Sequence, residues 1–303
     1  MFGMKSITVL DAPSNLGLRA LDPNVEPGCF LLPETLRSEG LLERLNADDG
    51  GRVPAPSYPH ADWKPGDGVR HAEAIASYSA RLASRLEAIL AKDEFPLVLG
   101  GDCSILLAPM LAMRRRGRFG LVALDGPDFR HPDNSDHVGA AAGESLAMVT
   151  GRGDRRLTNI DGLAPYVRDQ DTVLIGMRED DEFRQEVEKT LTSVLATEVH
   201  QEGAGYAVRQ ALWNVAECEG FWVHVDADVL DPTVMPAVDT PEEGGIDFPQ
   251  LQEILAGLLA SPHCVGMDVT IYDPLQDGDG SAGRNLTNAI VAALHAAGRG
   301  VVY

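Results

Sequence analysis

The sequence predicts an α/β fold in three layers, with a mostly parallel central sheet covered by helices on both faces. Two observations carry that reading. Short apolar runs alternate with longer amphipathic stretches along all 303 residues, the pattern of strand–helix units that lay helices over a parallel sheet. Almost every apolar run also ends in a carboxylate, at the strand ends where such sheets bind their ligands.

Residues 7–10 read as the first strand, and the Gly- and Pro-rich stretch 48–68 as a loop excursion. The clearest helix covers 72–91, where Ile75, Tyr78, Leu82, Leu86, Ile89 and Leu90 recur near helical spacing. Strand 95–99 runs into Gly100-Gly101-Asp102-Cys103-Ser104, followed by a helix over 104–115. The basic run Arg114-Arg115-Arg116 suits the negative dipole end of that helix. Strand 119–124 leads to Asp125, and residues 130–143 form a second loop excursion. Strands at 172–175, 221–225 and 264–269 alternate with helices at 180–191, 204–218, 248–259 and 285–296. The alternation resumes after each loop, so one domain over residues 1–303 is expected.

Forty-six acidic against 25 basic side chains give a net charge of −21. That excludes nucleic acid as a partner, which demands a basic stripe. The apolar run at 7–10 is too short for a signal-peptide core or a membrane span. Four scattered cysteines (Cys29, Cys103, Cys218 and Cys264) form no Cys-x-x-Cys pair and fit a reducing compartment. A cytoplasmic protein is expected.

Strand-end carboxylates make either helix caps or a cation site. Asp102, just before a helix, is expected to cap it. The segment Asp226-Ala227-Asp228 points to a cation, because carboxylates at i and i+2 share one face of an extended chain and repel without a counter-charge. Cys103 as a nucleophile is disfavoured, since three nearby carboxylates oppose thiolate formation.

These residues resemble the arginase/agmatinase/formiminoglutamase (ureohydrolase) superfamily over nearly the full chain. Leu99-Gly100-Gly101-Asp102-Cys103-Ser104 is similar to its Gly-Gly-Asp-His-Ser motif except at the histidine. Gly176-Met177-Arg178-Glu179-Asp180-Asp181 is similar to its Gly-x-Arg-Asp-x-Asp segment. The most specific match runs from His224 through Asp226, Asp228 and Pro232 to Thr240-Pro241-Glu242-Glu243-Gly244-Gly245. Pro33 to Leu42 is similar to the opening helix, and Gly266 to Pro274 to the last core strand. The resemblance implies about eight strands and a homo-oligomer, trimer or hexamer.

It also implies a two-manganese centre held by two histidines and four aspartates, delivering hydroxide to a guanidinium or amidine carbon. Position by position this chain keeps Asp125, Asp226 and Asp228 and puts Cys103 at the first histidine. The family's Asp-Ala-His-x-Asp becomes Asp125-Gly126-Pro127-Asp128-Phe129. Pro127 and Phe129 offer no donor. The family's substrate-orienting histidine matches Ala142, and its last-strand glutamate matches Ile271. Asp181 matches the acid that receives the substrate's amino group, with an exposed-helix role equally open.

The ligand count therefore predicts no paired manganese and no resident metal. The alternative is one divalent ion, zinc or manganese, on Cys103, Asp125, Asp226 and Asp228, with the loop 131–137 as a source of a replacement imidazole. Two functions follow. Either the chain keeps a pocket for a small polar or guanidino-type ligand without two-manganese hydrolysis, or it is a C–N hydrolase on a linear amidine or guanidino compound using an atypical single-metal site.

Overall fold

A computed structural model describes residues 5–20, 22, 25–59, 63–126, 129 and 138–300. In chain order its elements are β1 (Ile7–Ala12), α1 (Leu32–Ser38), α2 (Leu41–Leu45), β2 (Asp48–Arg52), α3 (Ala72–Leu90), β3 (Phe95–Gly100), α4 (Leu107–Arg116) and β4 (Phe119–Leu124). They continue with α5 (Ser145–Val149), α6 (Arg155–Thr158), β5 (Thr172–Met177), α7 (Arg184–Thr190), β6 (Thr192–Leu195), α8 (Ala196–Glu202) and α9 (Ala204–Asn214). The chain closes through β7 (Gly220–Asp226), α10 (Phe248–Leu259), β8 (Cys264–Thr270) and α11 (Ser281–Ala296). Among the described residues no helix is long and apolar enough to cross a membrane.

The strands form one eight-stranded sheet in the order β2-β1-β3-β8-β7-β4-β5-β6, and every neighbouring pair is parallel. Side chains alternate across it with the two-residue period of a strand. Phe95, Leu97 and Leu99 of β3 and Val122 and Leu124 of β4 join a core with α1, α2, α8, α9, α10 and α11. Val98, Leu121 and Ala123 point the other way, into a second core with α3, α4, α5 and α6. This is the three-layer arrangement that strand–helix alternation predicts.

The sequence reading falls short at both edges of the sheet. The stretch 48–68, read as loop, contains β2, whose Asp-Asp-Gly-Gly-Arg sequence has no apolar alternation to reveal it. It pairs with β1, and only Gly50 faces inward, where a Cβ would lie 2.8 Å from the Val9 carbonyl oxygen. At the opposite edge the four-residue β6 is too short to stand out between two helices.

Helix limits shift where polar side chains compete with the helical ladder. The helix expected over 180–191 begins at Arg184, because Asp181 Oδ1 accepts the Phe183 N–H in a turn ahead of it. The helix expected over 204–218 stops at Asn214, whose amide donates to the Gln170 carbonyl and accepts from Thr192 Oγ1. The expected helix at 104–115 opens as a 3-10 turn over Cys103–Leu106, and Arg114, Arg115 and Arg116 do close α4. α11 starts four residues earlier than its apolar pattern, anchored by Asp277 and Asp279, which accept from the Gly283 and Ser281 N–H groups.

Candidate functional site

The strand order decides what meets what. β7 and β8 insert between β3 and β4, so the carboxyl ends of β3, β8, β7 and β4 lie side by side although they are far apart in sequence. Such a break in strand succession is where parallel sheets open a crevice for polar groups.

Cys103 enters the crevice from the turn after β3. That turn is fixed by Asp102, whose Oδ1 accepts from Ser104 N at 2.8 Å and Oδ2 from Gly17 N at 3.1 Å, the capping role expected of it. Gly101 passes so close to the backbone of Ser14 that no Cβ fits there. Asp125 follows β4, held by its own N–H to the Ile175 carbonyl at 3.0 Å. His224 and Asp226 both lie on β7, two residues apart and so on one face. One donor atom from each of Cys103, Asp125, His224 and Asp226 falls in a group whose members all lie within 4.8 Å of one another. Each of these residues is at most 1% exposed.

His224 is held rigidly. Its Nδ1 lies 2.5 Å from Asp268 Oδ2, and the other oxygen of Asp268 accepts the Trp222 indole N–H at 2.5 Å. The opposite ring nitrogen, Nε2, faces Asp125 Oδ2 at 3.6 Å, beyond hydrogen-bond range. Nε2 and both oxygens of Asp125 are buried with no hydrogen-bond partner. Cys103 Sγ donates to Asp226 Oδ2 at 2.5 Å and lies 3.0 Å from Thr270 Oγ1. Asp226 Oδ1 accepts the Asp228 N–H at 2.8 Å.

Burial alone would push the His224 imidazole down. The Asp268 and Asp125 carboxylates outweigh it and hold its pKa well above the usual histidine range. Asp228 is pushed up to about 7, first by burial and then by repulsion from Asp125, against the pull of Arg178 and the Gly126 N–H. Arg178 locks this corner by donating to the carbonyls of Gly176, Asp228 and Glu242.

Of the residues singled out from sequence, Cys103, Asp125 and Asp226 come together. Asp228 lies beside them, with its Oδ1 accepting the Gly126 N–H at 3.1 Å, and is not one of the four. Asp181 lies in the turn ahead of α7 rather than on an exposed helix. Pro127, Asp128 and the loop 131–137 lie outside the described residues. Phe129 is 1% exposed and packs into the core on the α3–α4 side, with the Arg152 guanidinium 5.3 Å from its ring centre. Ala142 is buried in a short 3-10 turn. Ile271 is buried at φ +71°, its N–H donating to the Gly101 carbonyl, a left-handed conformation costly for a β-branched residue.

The residue that sequence reasoning passed over is His224. The signal was present as His-x-Asp inside a strand, which puts imidazole and carboxylate on one face, but a histidine in an apolar strand reads first as core.

The family comparison fits this geometry. Residues 19–296 match the model of the arginase family. The chain is 26% identical to an arginase of Bacillus caldovelox over 300 residues, covering 96% of this chain and 97% of that protein. The solved structure of an arginase from the same organism superposes with a TM-score of 0.86 at 25% identity, covering 96% and 98% of the two chains. A formimidoylglutamase structure from Bacillus subtilis shares the fold at a TM-score of 0.75 and 17% identity, covering 97% of this chain and 87% of that one. With a single parallel sheet, its polar residues gathered at the strand ends, and a family match over most of its length, this chain belongs to the arginase family.

Proposed function

We propose that this arginase-family chain does not carry out two-manganese hydrolysis and serves as a non-catalytic or repurposed relative that binds a small polar or guanidino-type ligand at the strand carboxyl ends. The observation that supports this is His224. Its imidazole faces Asp125 across 3.6 Å, in a compact group of four donors that suits one ion and falls short of the full ligand set that two ions about 3.5–4 Å apart require. Cys103 stands where a hard ion needs a nitrogen or oxygen donor, and Phe129 sits in an apolar core. The residues present do not fit paired manganese.

In this reading Asp181 remains the group to meet a ligand's amino function. Copies assemble as a trimer or hexamer, in a reducing compartment that suits four buried cysteines without disulfides. Purified protein supplied with manganese is expected to release no urea or ammonia above background from arginine, agmatine, guanidino acids or formimino compounds. Manganese-dependent turnover with two ions bound per chain would overturn the reading.

A second reading has support from the four-donor cluster itself: a C–N hydrolase working through one ion. It requires turnover of a linear amidine that scales with one equivalent of bound metal, and so separates from the first in the same assay.

A further inference from the structure

We propose that the chain holds a single zinc ion closed by four protein donors: Cys103 Sγ, one oxygen of Asp125, His224 Nε2 and Asp226 Oδ2. This rests on the reading that paired manganese is lost, and it names what replaces it.

The donor set has the right chemistry. Thiolate and imidazole favour zinc over manganese or magnesium, and two carboxylates complete a tetrahedron. His224 also supplies the neutral nitrogen without which one thiolate and two carboxylates would face the ion alone. The donor atoms come from three points on the sheet, after β3, after β4 and on β7, and lie within 4.8 Å of one another.

An independent observation points to an ion. Nε2 of His224 and both Asp125 oxygens are buried without hydrogen-bond partners, an arrangement that costs free energy unless something answers them. Their 3.6 Å separation is too long for a hydrogen bond. It is close to the roughly 3.3 Å that separates two ligands bound at about 2.0–2.1 Å to one tetrahedral ion.

The surroundings complete the arrangement. Asp268 accepts the His224 Nδ1–H and is itself fixed by Trp222, which turns Nε2 toward the cluster, as in carboxylate–histidine–zinc sites. The Asp228 N–H occupies Asp226 Oδ1 and leaves Oδ2 directed at Cys103. Cys103 now donates its thiol proton to that oxygen. On binding, the Cys103 S–H bond and the Nε2–H bond of the His224 imidazolium break, sulfur and nitrogen each keep the electron pair and bond to zinc, and two protons leave to solvent. Four protein ligands leave no open position for water, so the ion is structural rather than catalytic.

The test uses the full-length protein, stripped with a chelator and titrated first with zinc and then, separately, with cobalt(II). Expected are one zinc per chain and a cobalt adduct with tetrahedral d–d bands and a thiolate-to-cobalt charge-transfer band. Asp268→Asn should weaken zinc binding about 10–100-fold while circular dichroism stays native. Asp228→Asn should leave the stoichiometry at one. Failure of the stripped wild-type protein to take up zinc, a cobalt spectrum without the thiolate band, or loss of zinc in a folded Asp228→Asn protein would each overturn the proposal. None of these needs turnover, so the site can fail while the reading of lost two-manganese hydrolysis stands; manganese-dependent turnover would sink that reading instead.

Discussion

Asp102 and Asp125 follow β3 and β4, the two flanks of one crevice, and both are fully buried, yet they live in opposite surroundings. Backbone N–H groups of Gly17 and Ser104 converge on Asp102. No hydrogen-bond donor reaches either oxygen of Asp125. Asp268 stands between them, buried to the same degree but answered by two side chains, His224 and Trp222. A carboxylate at a strand end is therefore not one kind of feature. Where the backbone answers it, the acid builds the loop; where only a histidine at ion-pair distance faces it, it is set out for something else.

The sharpest way to break this contrast is to remove the acid that the backbone answers. Asp102→Ala leaves two buried N–H groups without acceptors, each costing about 1–3 kcal/mol, so urea unfolding should show a loss of about 3–5 kcal/mol. A loss under about 1 kcal/mol would mean that Asp102 is not what fixes the turn presenting Cys103. The intermediate case is probed by Trp222→Phe, which deletes one donor to Asp268 and leaves a smaller aromatic ring in its place. Hydrogen bonds to charged groups contribute about 1.5–3 kcal/mol, and a destabilisation near 2 kcal/mol is expected from the same measurement. No effect would show that His224 alone suffices to hold Asp268. The smallest change is expected at Asp247, which caps α10 in the open with the reciprocal Gln250 bonds of a capping box. There water can replace the lost acceptor, so Asp247→Ala should cost only about 1 kcal/mol. A cost matching that of Asp102 would show that burial is not what separates the two caps.

How much of this was legible in the sequence depends on how locally each feature is encoded. The six strands with continuous apolar runs announce themselves, because a strand buried on both faces has no polar side to show. β2, with Gly50 as its one buried residue, has nothing apolar to announce. Asp102 could be read as a cap from its place between a strand and a helix. Asp125 and Asp226 could be read as a pair only through a resemblance, since the strand order that joins them is set by packing across more than a hundred residues. His224 was hidden for a different reason: its partners Asp125 and Asp268 arrive from separate strands, and its one local signal, the His-x-Asp pattern, does not by itself set it apart from a core histidine.

The β2 edge has a consequence for how copies of this chain can meet. An exposed strand edge is a template on which another chain can add itself, and charged side chains and short length are what discourage it. β2 is five residues long, leaves Asp48, Asp49 and Arg52 exposed, and breaks its extended course at Gly51, which sits at φ +73°. Sheet-to-sheet growth is blunted at that margin. Self-association through the β2 edge is therefore disfavoured.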